Sequence, residues 1–182
     1  AQRKGIDDAS YFCPLDEEGF EIVTSLQAGT TLVTLAPELT SPELIRRLVQ
    51  AGVVVCAGHS AANYAQTREA LAAGVSGFTH LYNAMTPLQS REPGMVGAAL
   101  EDEESWFGII ADGFHMHPAA FRIAVAAKKP GGAVLVTDAD LAPLPATYEM
   151  FWEPSLFVTD AANTIVARGD IVVDRGEMAQ ML

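Results

Sequence analysis

The feature that most constrains this chain is a short, mostly apolar run that occurs five times, at Thr31 to Leu35, Val53 to Ala57, Val75 to Thr79, Trp106 to Ala111 and Ala133 to Thr137. The first three begin 22 residues apart, at positions 31, 53 and 75. Runs without strict alternation suit strands covered on both faces, and such spacing leaves room for one helix between neighbours. Helix signals fall where that requires. Thr40, Ser41, Pro42 and Glu43 start a helix with Leu44, Ile45, Leu48 and Val49 on one face, closed by Gly52. A second runs from about Ala62 to Ala73, with Gly74 at its end, and a third follows Pro118 from Ala119 to Lys128. The expected fold is therefore α/β: a (β/α) barrel, complete or incomplete, with about five parallel strands over residues 1–140.

Two segments depart from the repeat. Leu81 to Ser105 contains TPLQSREPG and the acidic EDEES and reads as a long loop, a place where binding groups often sit. After Asp138 the stretch LAPLPATYEMFWEPS carries three prolines, and the rest of the chain reads as short strands with turns at 160–163 and 168–170. Residues 141–182 are thus expected to form a β-rich extension.

Charge and cysteine content narrow the function classes. Eleven Lys and Arg against 23 Asp and Glu give a formal charge of -12, which opposes nonspecific attraction to nucleic acid or anionic lipid. An anionic ligand therefore needs a local basic pocket. No apolar run reaches the roughly 18 residues of a membrane span, and AQRKGIDDAS lacks a signal-peptide core, so a cytoplasmic location is expected. Cys13 and Cys56 form no CxxC pair, and Cys56, inside a strand run, reads as a small buried residue.

The chemistry concentrates at strand ends. His59, His80 and Asp138 each lie just past one of the apolar runs. In a parallel α/β architecture those ends face one side, so the three side chains can share one site. A single strand-end histidine is more often a structural hydrogen-bonding group, but His80 repeats the position of His59 one unit later. Two imidazoles are good ligands for a divalent metal, and a carboxylate beside them can move a proton, the combination of a metal-dependent hydrolase. Asp138 also has a structural alternative, capping the turn after its strand, and Asp140 can play either part. Asn83 and Arg91 in the long loop, and His115 in ADGFHMHP, are candidates for holding an anionic or hydroxylated ligand. Their structural alternatives are a turn at Asn83, an ion pair of Arg91 with Glu92, and a turn at Asp112 and Gly113. His117, before Pro118, reads as a helix-entry residue.

LAPE at 35–38, AGHS at 57–60, THLYNAM at 79–85, REPG at 91–94, IIADGFH at 109–115 and LVTDA at 135–139 occur in this order. Together they resemble the N-acetylglucosamine-6-phosphate deacetylases of the amidohydrolase superfamily. The resemblance implies a (β/α)8 barrel with a small β-sandwich, a homodimer, and hydrolysis of N-acetylglucosamine 6-phosphate to glucosamine 6-phosphate and acetate. It implies that His59 and His80 bind one divalent metal, zinc or iron, with Asp138 as catalytic acid and base. Asn83, the backbone of Ala84, Arg91 and His115 are implied to contact the sugar phosphate. A further metal-binding Glu, in an LEGP motif ahead of RKG, falls before position 1, so the resemblance makes this a partial chain. Ile6 and Asp7 stand where the family has a small residue and a histidine, and RGEMAQML stands where a GTLAGS-like loop is expected. The alternatives are another metal-dependent amidohydrolase and a non-catalytic sugar-phosphate-binding remnant.

Overall fold

The computed structural model describes Arg3, residues 13–136, and two strand segments at 157–159 and 165–167. Five parallel strands form the sheet in chain order: β1 (Leu32–Leu35), β2 (Val54–Ala57), β3 (Gly77–Phe78), β4 (Trp106–Ile109) and β5 (Ala133–Leu135). Each pairs with the next in parallel, with Leu35 opposite Ala57, Ala57 opposite Phe78, Phe78 opposite Phe107 and Ile109 opposite Leu135. Parallel neighbours need crossovers, and α2 (Pro42–Gln50), α3 (Tyr64–Ala73), α4 (Gly94–Glu101) and α5 (Pro118–Ala126) supply them. The α/β expectation with five parallel strands and flanking helices therefore holds, and the arrangement is part of a barrel. Two further short strands continue the sheet: β6 (Phe157–Thr159) pairs antiparallel with β5, and β7 (Ile165–Ala167) pairs antiparallel with β6.

Burial explains why the central runs are largely apolar. Val55, Cys56 and Ala57 of β2, Phe78 of β3 and Phe107 of β4 are fully buried, and all of these but Cys56 share one core cluster with Ile45 and Leu48 of α2. β1, which pairs on one side with β2, alternates between exposed and half-buried positions. Ser41 and Asn63 cap α2 and α3, each accepting the N–H three residues on, at 3.2 Å and 2.9 Å, and Gln66 answers Asn63 to complete a capping box. Gly74 ends α3 in left-handed backbone.

Differences from expectation lie mostly at boundaries. The third strand shrinks to Gly77–Phe78, and Val49 of α2 is exposed although Ile45 and Leu48 are buried. The expected loop from Leu81 to Ser105 contains a helix, α4. GMVGAALE shows no amphipathic period because Gly94 to Ala99 are all buried; a helix covered on every side has no polar face to reveal it. A helix ahead of the first strand, α1 (Glu17–Thr24), was also not expected. Arg47 of α2 ties it down, with its guanidinium forked onto Glu17 at 2.7 and 2.8 Å and lying over the Phe20 ring. Among the described residues no helix is long and apolar enough to cross a membrane.

Candidate active site

The loops leaving β1, β2 and β3 meet at the carboxyl end of the sheet. Glycine at 58 lets them approach: a Cβ there would lie 2.9 Å from Thr79 Cβ and 3.0 Å from Thr34 Cγ2. Across that gap Thr34 of β1 and Thr79, just past β3, share a hydrogen bond of 2.7 Å between their hydroxyls. His59 follows Gly58 and His80 follows Thr79.

Both histidines adopt left-handed backbone, His59 at φ 47° and His80 at φ 36°, as do Tyr82 (φ 77°) and Ala84 (φ 49°) in the same loop as His80. Residues with a Cβ rarely enter this region, and each costs on the order of 1–3 kcal/mol that surrounding contacts must offset. The consequence is convergence. The two Nε2 atoms lie 2.8 Å apart, with ring centroids 4.7 Å apart in an edge-on arrangement. His80 is buried and His59 half-buried. Hydrogen bonding between these nitrogens requires one ring to donate its Nε2 proton to the other.

Two converging imidazoles are a suitable donor pair for a borderline divalent cation. Two nitrogens around tetrahedral zinc sit roughly 3.3 Å apart, so a small opening of the pair accommodates one ion. Among the described residues no cluster of three or more His, Cys, Asp or Glu joins them. Asp138, read from the sequence as the proton-transfer group, lies outside the described residues, as does Asp7.

The remaining sequence candidates are placed as follows. Asn83 is half-buried in the turn after His80; its N–H donates to the His80 carbonyl at 3.0 Å, and its side-chain amide makes a long 3.5 Å contact with the Leu81 carbonyl. Ala84 accepts the Ser60 N–H at 3.0 Å, which joins the loop after β3 to the loop after β2. Arg91 is exposed, and its neighbour Glu92 accepts the N–H groups of Tyr64 at 2.8 Å and Gly94 at 3.0 Å. One carboxylate oxygen thus holds the first turns of both α3 and α4. Gly94 itself stands at φ 63°, where a Cβ would meet two carbonyl oxygens at 2.7 Å. His115 is exposed; its Nδ1 pairs with Asp112 Oδ2 at 2.6 Å, while Asp112 Oδ1 accepts the Phe114 and His115 N–H groups. Asp112 therefore makes the expected turn and also orients the imidazole. His117 caps α5, with Nδ1 accepting from Ala119 N–H at 3.1 Å.

Sequence reasoning missed the role of two residues beside the histidines. Glu38, on a 3-10 turn after β1, accepts the Ser60 hydroxyl at 2.5 Å and the Ala61 N–H at 2.7 Å. Both carboxylate oxygens are thereby engaged with the two residues after His59. The only sequence signal was position: a carboxylate just past one strand and a serine directly after the histidine of the next.

No family model matches the chain. Among curated relatives, it is 44% identical over 142 residues to an N-acetylgalactosamine-6-phosphate deacetylase of a Shewanella strain, covering 78% of this chain and 36% of the relative. It is 40% identical over 139 residues to the N-acetylglucosamine-6-phosphate deacetylase of Bacillus subtilis, covering 75% of this chain and 35% of that protein. The solved N-acetylglucosamine-6-phosphate deacetylase of Pasteurella multocida superposes with a TM-score of 0.72 at 28% identity, over 91% of this chain and 45% of that one. The chain thus spans about a third of the length of these curated relatives.

Proposed function

We propose, from the premise that this chain is homologous to about a third of the N-acetylglucosamine- and N-acetylgalactosamine-6-phosphate deacetylases, that it carries part of the active site of such a hydrolase. Its reaction would be hydrolysis of the acetamide of N-acetylglucosamine 6-phosphate to glucosamine 6-phosphate and acetate. The observation that supports this reading is the meeting of His59 and His80 Nε2 at 2.8 Å from two separate strand ends.

In this reading His59 and His80 hold one divalent cation, zinc or iron, through those nitrogens. When bound, such an ion polarises an amide carbonyl and makes water easier to deprotonate. Asp138, three residues beyond the end of β5, would accept a proton from the attacking water and deliver it to the amine nitrogen as the C–N bond breaks. Arg91, His115, Asn83 and the Ala84 backbone would bind the phosphate and sugar, supplying orientation remote from the bond that breaks. An acidic protein thus receives an anion through a few local donors. A homodimer accompanies the reading.

The assay is acetate release from N-acetylglucosamine 6-phosphate, run beside N-acetylgalactosamine 6-phosphate because relatives carry both names. This chain is assayed alone and with additional upstream sequence, together with its metal content and its sedimentation behaviour. His59→Ala and His80→Ala should each lower bound metal, and Asp138→Asn should keep the metal but lose at least about a hundredfold in turnover. Turnover confined to an unrelated amide would exclude the deacetylase reading. Binding of sugar phosphate with no acetate release from either form would favour a non-catalytic role.

A further inference from the structure

We propose that Glu38 and Ser60 are positioning residues for the His59–His80 pair, a two-residue latch that holds three strand-end loops in register. The inference rests on the cation-site reading above for its use, and on the hydrogen bonds for its geometry. Glu38 belongs to the turn after β1 and takes the Ser60 hydroxyl on Oε2 and the Ala61 N–H on Oε1. Ser60 follows His59 and is fully buried. Its N–H donates to the carbonyl of Ala84, in the loop after β3, and its oxygen accepts the Ala62 N–H at 3.0 Å. One serine therefore joins the loops of β1, β2 and β3.

The need for such a latch arises from the backbone. His59, the residue before Ser60, and Ala84, whose carbonyl accepts the Ser60 N–H, both stand in left-handed conformation, which neither side chain favours by itself. Released, His59 would relax toward ordinary backbone angles and its imidazole would swing away from His80. Glu38 is a carboxylate brought beside the His59 loop by the pairing of β1 with β2, yet both its oxygens are taken by Ser60 and Ala61, so it serves as holder. Partners that orient metal ligands commonly affect metal affinity by about 10–100-fold.

The test uses the purified protein and Glu38→Ala, Glu38→Gln, Ser60→Ala and the Glu38→Ala/Ser60→Ala double variant. In metal-free protein, NMR of the imidazole carbons should show the His59 and His80 resonances shifted in Glu38→Ala and Ser60→Ala. Glu38→Gln, whose amide still accepts from Ala61 and can donate to Ser60, should lie nearer the wild type, and it keeps the test decisive if the alanine variant does not fold. Cobalt affinity, read by competition with a chromogenic chelator, should fall about tenfold in either single alanine variant and little further in the double variant, because both remove one connection. Unchanged imidazole resonances overturn the proposal even if the unfolding midpoint drops, since that is the pattern of a purely structural carboxylate. Shifted resonances with unchanged cobalt affinity overturn its link to the cation. A wild type that binds no cobalt removable by His59→Ala overturns the cation-site reading instead, and the metal-free resonances then decide the latch by themselves.

Discussion

At the residue scale, the strand end of β2 shows how little tolerance the site has. Gly58 occupies the space between Thr34 and Thr79, whose hydroxyls bond across it. Gly58→Ala should cost about 1–3 kcal/mol by overpacking, read as a lower urea midpoint, and should separate the two threonines. An unaltered midpoint would show that the neighbouring loops yield easily. Cys56, two residues earlier, is fully buried, and burial pushes its thiol up to about 12. In native protein a thiol reagent should therefore label exposed Cys13 quickly and Cys56 only on unfolding; equal labelling would contradict the burial. The reading of Cys56 as a small buried residue came from its apolar neighbours alone. The engagement of Glu38 with Ser60 did not, because residues 22 positions apart are brought together only by the pairing of β1 with β2.

At the scale of elements, the join between α4 and β4 depends on Asp102. Its Oδ1 accepts the Ser105 and Glu104 N–H groups at 2.8 and 3.2 Å, and its Oδ2 takes Arg68 of α3 at 3.0 Å. Burial raises its pKa, but the bonds from Ser105 and Glu104 and the nearby Lys128 charge outweigh this, leaving the carboxyl below its ordinary 3.8. A depressed carboxylate stabilises the fold above its unfolded value, and that contribution is lost as pH falls through the folded one. Asp102→Asn should therefore flatten the acid limb of an unfolding curve below about pH 4, with little change in its slope at neutral pH. An acid limb identical to the wild type would remove Asp102 from the account. Boundaries of α2, α3 and α5 were legible to within about two residues because their caps and terminal glycines are local signals. α4 was not, since its burial on all sides is a property of the elements that surround it.

For the whole molecule, the proposed cation site would make stability depend on the cation that His59 and His80 hold. Zinc at a hundredfold excess over its dissociation constant should stabilise the protein by about 2.7 kcal/mol, visible as a rise in Tm that a chelator reverses and His59→Ala abolishes. A Tm indifferent to both zinc and chelator would count against the site. The sequence by itself determined the α/β class, the parallel strand order, and the two histidines as a repeated strand-end pair, because apolar runs, caps and glycines act over a few residues. The tertiary structure decided that His59 and His80 touch, that left-handed backbone sets their approach, and that Glu38, Ser60 and Ala84 tie the loops. Those facts depend on strand register and on contacts between residues far apart in the chain, which no local pattern encodes.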